Sequence, residues 1–176
     1  MVKKIEYPWY EAVTDDSLEQ GDLLPNCPVI RQPSNLSELL LNYDSSEPLV
    51  EPVTVDTVDL IIMSQSCDLQ QDKIEQVLLC GYFPASKESK DNRKHIRKER
   101  IPSRHMIEKS SIAGHKFGQQ IVDFRTIYGL PKLFVRAFAT SFESRLRLLP
   151  PYKEHLSQAF ARYFMRVGLP RPLEDE

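Results

Sequence analysis

Hydrophobic and polar residues alternate in several short segments of this chain, and the alternation predicts a protein rich in β-strands. Residues 55–64 begin by alternating and end as an apolar run, which is typical of a strand that enters a core. A turn over residues 66–73 leads to a second apolar segment at residues 77–83, which Pro84 ends. Two strands joined by a connection of this length are expected to pair antiparallel.

The third quarter of the chain predicts two more strands. Residues 119–128 alternate and predict a strand, and the Gly-Leu-Pro sequence at residues 129–131 predicts a turn after it. The apolar run at residues 133–138 then predicts another strand. A short helical segment is expected over residues 103–109, before the first of these strands.

The last part of the chain predicts an amphipathic helix over residues 151–167. Its apolar positions recur with the helical period, at Tyr152, Leu156, Ala159, Phe160, Tyr163, Phe164 and Val167. Gly168 and Pro170 are typical of the end of a helix. We therefore expect an N-terminal arm over residues 1–20 and one α+β domain over residues 21–176. The domain is predicted to be a compact, mostly antiparallel β-barrel with the C-terminal helix closing one side.

Composition and charge add a candidate contact surface. The chain of 176 residues has the size of one domain and a net charge of −2. Residues 85–117 carry +6 of formal charge and the remainder carries −8, so the two signs are segregated. The basic side chains that define this segment are Lys87, Lys90, Arg93, Lys94, Arg97, Lys98, Arg100 and Arg104. They are expected to bind nucleic acid or an acidic protein surface, or to form a solvated loop or weak helix.

Cysteine and histidine usage limits the chemistry. The three cysteines include no Cys-x-x-Cys pair, so a disulfide framework is not expected and a reducing, cytoplasmic location fits. No apolar run approaches the roughly 20 residues that span a bilayer. The histidines lack metal-ligand spacing and no phosphate-binding glycine loop is present, so neither a metal nor a cofactor is expected.

A polar cluster after the strongest strand is the candidate site for covalent chemistry. Its members are Ser64, Ser66, Cys67 and Asp68. A nucleophilic Cys67 requires a base, for which His105 and His115 are the candidates. The alternative is a turn in which Ser66 and Asp68 accept backbone hydrogen bonds and Cys67 packs as a small hydrophobic residue.

Four short motifs resemble the MazF/PemK-like toxin family. They are Gly21-Asp22-Leu23-Leu24, Leu60-Ile61-Ile62-Met63-Ser64, Val77-Leu78-Leu79-Cys80 and Val122-Asp123-Phe124-Arg125-Thr126-Ile127. The terminal helix also follows at the family's position. The resemblance implies a strongly bent Src-homology-3-like β-barrel that usually forms a homodimer.

The chain departs from this family at both catalytic positions. Val58-Asp59 stand where the resemblance implies an Arg-Pro pair, and Pro84-Ala85 stand where it implies Thr or Ser. An aspartate in place of the arginine would repel RNA phosphates. We therefore expect a non-catalytic binding or regulatory module of a bacterial defence or toxin–antitoxin-like system, acting through protein contacts. The alternatives are an RNA- or DNA-binding protein or endoribonuclease-like toxin using residues 87–104, and a cysteine-dependent enzyme centred on Cys67.

Overall fold

The structure is a computed structural model and describes residues 7–44, 46, 48 and 50–165. Strands and helices alternate along this part of the chain. In chain order the elements are β1 (Tyr10–Val13), β2 (Leu23–Arg31), α1 (Leu36–Leu41), β3 (Thr54–Ile62), α2 (Ser66–Gln70), β4 (Gln76–Pro84), a 3₁₀ turn (Ala85–Lys87), α3 (Lys90–Arg97), β5 (Arg104–Ile107), β6 (Gln120–Pro131), α4 (Lys132–Thr140), β7 (Arg145–Leu148) and α5 (Tyr152–Phe164).

The strands form two antiparallel sheets. Five strands pair in the order β2-β3-β4-β6-β5, and β1 pairs with β7 in a second sheet of two strands. A single antiparallel bridge between Asp22 and Arg147 links the two sheets beside the start of β2. The α+β class and the antiparallel pairing are therefore confirmed. In the described part of the chain the sheets do not close into a barrel.

The central sheet is covered on both faces, which explains its most apolar strands. Successive side chains of a strand point to opposite faces. Ile61 accordingly lies in one cluster with Leu146, Leu148 and Leu156, which belong to β7 and α5. Its neighbours Leu60 and Ile62 lie in a second cluster, with Val135 and Ala139 of α4. The predicted strands at residues 55–64 and 77–83 are confirmed as β3 and β4 for this reason.

The prediction of a strand over residues 133–138 was wrong, because this segment is helix α4. A short continuous apolar run has no period that separates a buried strand from a helix. The burial pattern in the structure is helical: Lys132, Val135 and Ala139 are buried, whereas Leu133 is 81% exposed. The predicted turn at residues 129–131 was also wrong, because these residues continue β6 to Pro131.

The prediction of a helical segment over residues 103–109 was wrong as well. Arg104–Ile107 form β5, an edge strand whose four residues pair with β6. This pairing is a tertiary contact across 13 or more residues of chain, which local pattern does not reveal. The terminal helix is confirmed as α5. Residues 166 and 167, with the end signals Gly168 and Pro170, lie outside the described residues.

The N-terminal segment is part of the fold from residue 9 onward. The Trp9 ring stacks on Tyr152 of α5, with 3.6 Å between ring centroids and 8° between planes. The Tyr10 hydroxyl donates a hydrogen bond of 2.6 Å to the Glu108 carbonyl oxygen, just beyond β5. Residues 1–6 lie outside the described part of the chain.

A buried ion-pair network at Asp22 joins β7 to the start of β2. The Asp22 side chain is fully buried, and the side chains of Arg145 and Arg147 are only 2% and 6% exposed. Arg145 Nε lies 3.0 Å from one Asp22 carboxylate oxygen. Arg147 donates to both oxygens, from Nε at 2.5 Å and from Nη2 at 3.0 Å. One buried carboxylate therefore pairs with two neighbouring guanidinium groups, and Asp15 and Glu19 supply further negative charge at the edge of the network.

The same two arginines hold the segment before β2 in place. Arg145 Nη1 donates to the Asp15 carbonyl oxygen at 2.6 Å, and Arg147 Nη2 donates to the Ser17 carbonyl oxygen at 2.9 Å. Glu19 accepts hydrogen bonds from Arg147, at 3.1 Å, and from Lys153 of α5, at 3.2 Å. The network therefore connects β7, residues 15–22 and the C-terminal helix.

We predict that Asp22→Asn strongly destabilises the protein. The substitution keeps the side-chain shape but removes the only fully buried carboxylate of the network, so that Arg145 and Arg147 keep only the more exposed carboxylates of Asp15 and Glu19. Removing one partner of a buried ion pair typically costs about 3–5 kcal/mol. Equilibrium unfolding in urea measures this loss. The matched control is Asp56→Asn, which breaks an ion pair with Arg31, a side chain that is 63% exposed. The control should lose less than about 1 kcal/mol, and equal losses in the two variants would contradict the prediction.

Candidate functional site

The basic segment is an ordered helix rather than a loop. Ser89 occupies the N-cap position of α3, and its hydroxyl oxygen accepts a hydrogen bond from the Asn92 backbone N–H at 3.2 Å. At the other end, the backbone N–H groups of Glu99 and Arg100 donate to the carbonyl oxygens of Ile96 and His95. This pair of bonds is a Schellman motif, with Glu99 in the left-handed conformation at φ 55°.

The orientation of α3 turns a row of lysines outward. Ile96 is its one buried residue, and it packs against Ala85 and Ile121. A spacing of four residues keeps side chains on one face of a helix. Lys90, Lys94 and the C-cap Lys98 follow this spacing and lie on the face opposite Ile96, where all three are exposed. The sequence signals that favoured this helix were the Ser89 cap and the basic residues near its C-terminus.

The eight cations of the basic segment divide into two groups. Three arginines bind other parts of the protein. Arg93 Nη1 donates to the Ala85 carbonyl oxygen at 3.3 Å, and Arg97 Nη2 donates to Gln119 Oε1 at 2.8 Å. Arg104 forms ion pairs with Glu88, at 2.5 Å, and with Asp123, at 3.3 Å. These arginines anchor α3 and β5 to the sheet.

The other cations have no side-chain hydrogen bond or ion pair with any described residue. They are Lys87, Lys90, Lys94, Lys98 and Arg100, and all five are exposed. Each is therefore available to an anionic partner. The unpaired positive charge on this surface is carried mainly by lysine, because the arginines are already engaged.

The serine hydroxyls of the polar cluster accept hydrogen bonds from backbone N–H groups. Ser64 Oγ accepts a hydrogen bond from the Leu78 backbone N–H at 2.8 Å. Ser66, the first residue of α2, accepts one from the Gln20 backbone N–H at 3.1 Å and donates to Glu19 at 3.4 Å. These contacts tie the end of β3 to neighbouring segments. The turn interpretation is met at Ser66, but its packing of Cys67 as a small hydrophobic residue is wrong, because Cys67 is exposed.

Cys67 is exposed, and no described histidine is within hydrogen-bonding distance of it. Its Sγ lies 3.8 Å from Gln65 Oε1 and 3.7 Å from Asp68 Oδ1. The structure brings neither candidate histidine into hydrogen-bonding distance of this sulfur. His115 Nε2 is 2.8 Å from Ser144 Oγ. The His105 ring lies over Phe124, with 6.5 Å between the ring centroids. A cysteine–histidine pair therefore does not form at Cys67 among the described residues.

We predict that Cys67 is the one thiol that reacts readily in the folded protein. Cys27 and Cys80 are buried. Burial raises their thiol pKa values to about 11 and about 12, with the Asp123 charge adding to the effect at Cys80. Titration with Ellman's reagent should detect one fast thiol in the native protein and all three in denaturant. Cys67→Ala should remove the fast thiol and change stability by less than about 0.5 kcal/mol; a fast thiol remaining in that variant would refute this assignment.

The structure also forms a cleft that sequence analysis missed. Two adjoining cavities, of about 370 and 250 Å³, lie between the end of α3, β5 and α5. His105 and Glu99 line both of them. The stacked pair Trp9 and Tyr152 lines the smaller cavity. These residues come from three separate segments of the chain, so no local sequence motif predicts the cleft.

The imidazole of His105 is held neutral in this cleft. Burial lowers the pKa of His105 to about 4, because desolvation disfavours the charged ring. The nearby positive charges of His155 and Arg162 lower it further, whereas the Glu99 carboxylate opposes the shift. At neutral pH the ring therefore offers one N–H donor and one acceptor nitrogen.

We predict that His105 makes the fold acid-sensitive between pH 6.5 and about 4. In this window the unfolded chain binds a proton at His105 while the folded imidazole stays neutral, so stability falls as the pH falls. Between pH 6.5 and about 4, the unfolding free energy of the wild type should fall by up to about 3 kcal/mol more than that of His105→Asn. Urea unfolding at stepped pH measures the difference. His95→Asn, at an exposed position of α3, should show the same pH profile as the wild type.

Two searches of the described residues returned negative results. No helix there is long and apolar enough to cross a membrane. No group of three or more His, Cys, Asp or Glu side chains in that part of the chain is arranged to hold a metal ion.

A scan against protein-family models and a search of curated protein sequences found no match to this chain.

Proposed function

We propose that this protein is a non-catalytic module that binds the phosphate backbone of RNA or DNA through the outer face of α3. The observation that carries the proposal is the exposed row of Lys90, Lys94 and Lys98 on a rigidly anchored helix. Lys87 precedes the helix in the chain and Arg100 follows it, and both are exposed. Cations at regular spacing on a fixed element can neutralise successive phosphates, which is the main source of sequence-independent affinity for nucleic acids.

Lysine predominates among the unpaired cations, which favours a phosphate backbone over a protein surface as the binding partner. Protein–protein interfaces are depleted in lysine and enriched in arginine and aromatic residues. On this surface the opposite holds: the lysines are unpaired, while Arg93, Arg97 and Arg104 bind the protein itself. Lysine binds phosphate as a point charge without a fixed geometry. This composition suits a backbone contact that does not read sequence.

A non-catalytic role is proposed because the candidate catalytic groups are engaged elsewhere. Ser64 and Ser66 accept backbone hydrogen bonds, and Cys67 has no imidazole among its described neighbours. Asp59, which stands where the toxin resemblance implies a catalytic arginine, accepts a hydrogen bond from the Asn26 backbone N–H at 2.9 Å. Asn26 lies in the β-bulge of β2, so this carboxylate supports the bent strand.

We also propose that the two sheets belong to one Src-homology-3-like barrel, as the resemblance to MazF/PemK-like toxins implies. Its support is the approach of the two sheets at both sides. The Asp22–Arg147 bridge joins them at one side. At the other side the Tyr10 hydroxyl bonds to the Glu108 carbonyl, beside the end of β5. A crystal structure in which β1 and β5 are far apart would contradict the barrel.

The proposed function predicts nucleic-acid binding that depends steeply on salt. Fluorescence anisotropy of labelled single-stranded and duplex oligonucleotides should show binding that weakens as salt rises. The variant in which Lys87, Lys90, Lys94 and Lys98 are all replaced by alanine should bind much more weakly. For single strands, the slope of log K against log salt should fall by about 3 when four phosphate contacts are lost.

The matched control replaces three exposed lysines outside α3, Lys73, Lys109 and Lys116, by alanine. This control should bind like the wild type. Equal losses in the two variants would show that only net charge matters and would remove α3 as the contact surface. Urea unfolding of both variants would confirm that the helix still folds.

A protein-binding regulatory module of a toxin–antitoxin-like or other defence system is the second candidate. The observation that favours it is an exposed apolar pair on the β2–β3 arm. Ile30 and Val55 are directly opposite each other in the sheet and are 61% and 58% exposed. Ile30 also lines a surface groove together with Ile127 of β6. This candidate expects the wild type to bind neither RNA nor DNA at any salt concentration, so the same titration decides between the two.

A further inference from the structure

We propose that the cleft around His105 binds the heteroaromatic base of a nucleotide, between the imidazole and the stacked Trp9–Tyr152 pair. This inference goes beyond backbone binding by α3, because it assigns a separate pocket to the base. It rests on the proposed function only where the nucleotide is part of a strand. A free nucleotide presents the same chemistry, and the experiment below distinguishes the two sources.

The first observation is the free hydrogen-bonding capacity of His105. Its ring borders both cavities, and neither nitrogen has a hydrogen-bond partner among the described residues. The ring is half-buried, so a ligand that supplies a partner to either nitrogen replaces a hydrogen bond to water. The neutral imidazole presents one donor and one acceptor. The edge of a nucleobase presents the complementary pair.

The second observation is the shape and polarity of the walls. Ile101, Pro102 and Ala159 give the larger cavity an apolar lining, and Trp9 and Tyr152 give the smaller one an aromatic lining. Planar aromatic rings bind such walls by stacking, as bases do in single-strand binding proteins. The larger cavity, of about 370 Å³, falls in the usual range of roughly 300–1,000 Å³ for small-ligand sites, and the smaller one, of about 250 Å³, lies just below it.

The third observation is the position of the charges. α3 ends at this cleft, and its Arg97 lines the smaller cavity. Arg162 of α5 lines the larger cavity, where it forms an ion pair of 3.4 Å with Glu99. Both partners are more than half exposed, so the pair is weak and can open. A phosphate attached to a bound base would therefore meet Arg97 or Arg162, close to the end of the lysine row.

Glu99, which lines both cavities, has an unusual backbone conformation. It is a non-glycine residue held at φ 55°, a conformation that is unfavourable for a residue with a side chain. This conformation belongs to the Schellman motif that ends α3. At this position the helix end turns the Glu99 carboxylate toward the cleft that it lines with His105.

The sole tryptophan of the chain, Trp9, reports on the cleft directly. We would titrate the full-length protein with AMP, GMP, CMP and UMP and follow the emission of Trp9. Ribose 5-phosphate and inorganic phosphate serve as ligands without a base. The expected result is a saturable change with at least one nucleotide and none with the two controls. Equal binding of ribose 5-phosphate and nucleotide, or no change with any nucleotide, would overturn the proposal.

Two variants separate the cleft from general folding effects. His105→Leu should weaken nucleotide binding by about tenfold or more, since two hydrogen bonds in an enclosed site are lost. His105→Asn, which keeps one donor and one acceptor, should retain more of the affinity. His95→Leu, at an exposed position of α3, should bind as the wild type does. A His105→Leu protein that is folded by circular dichroism and binds nucleotide normally would refute the assignment.

Oligonucleotide titrations with the same variants distinguish the source of the base and keep the two proposals apart. If a single strand binds at least about tenfold more tightly than its mononucleotide, and the quadruple lysine variant loses that gain, the base belongs to a strand. If strand and mononucleotide bind alike, the ligand is a free nucleotide. If the lysine variant loses strand binding while His105→Leu binds normally, the base pocket is refuted and backbone binding by α3 stands.

Discussion

The fold depends on one buried carboxylate that forms ion pairs with two arginines. Asp22 is fully buried between Arg145 and Arg147, and the arginines in turn hold the backbone of residues 15–17. Burying three charges is costly unless the donors find acceptors, and here the side chains of Asp22, Asp15 and Glu19 supply them together with the backbone carbonyls of Asp15 and Ser17. Gly21, next to this network, cannot take a side chain without strain. Its φ is 90°, and a Cβ at this position would lie 2.9 Å from Leu148 Cβ. The two sheets therefore approach each other so closely at this junction that only glycine fits at position 21.

This junction also positions the candidate site. Arg147 reaches Glu19, and Glu19 binds Lys153 at the start of α5. The helix is thereby fixed against the sheet, where Tyr152 stacks on Trp9 and Phe160 packs on Phe124. The opposite wall of the cleft is set by α3, whose arginines bind the sheet while its lysines remain free. Within this helix the arginines are therefore bound to the protein, whereas the lysines have no partner among the described residues.

Several particular segments show how far sequence patterns reach. The strands β3 and β4 and the helix α5 were predicted because many consecutive positions agree on one period. The segment at residues 133–138 was predicted wrongly, because a continuous apolar run fits a strand and a helix equally. β5 was missed because an edge strand of four residues exists only through its pairing with β6. For the candidate site, the eight cations were found from composition, but their division into anchored arginines and free lysines was not.

The sequence by itself determined the α+β class, the antiparallel core strands, the terminal helix and the presence of a basic segment. These features follow from local periodicity and charge, which each segment carries independently of the others. Only the tertiary structure decided which cations are free, that Cys67 lacks a nearby imidazole among the described residues, and that Trp9, His105 and Tyr152 share one cleft. The physical reason is that pairing, burial and shared cavities are properties of contacts between distant segments. Trp9 and Tyr152 are far apart in the chain, and only the junction at Asp22 and the packing of α5 bring their rings together.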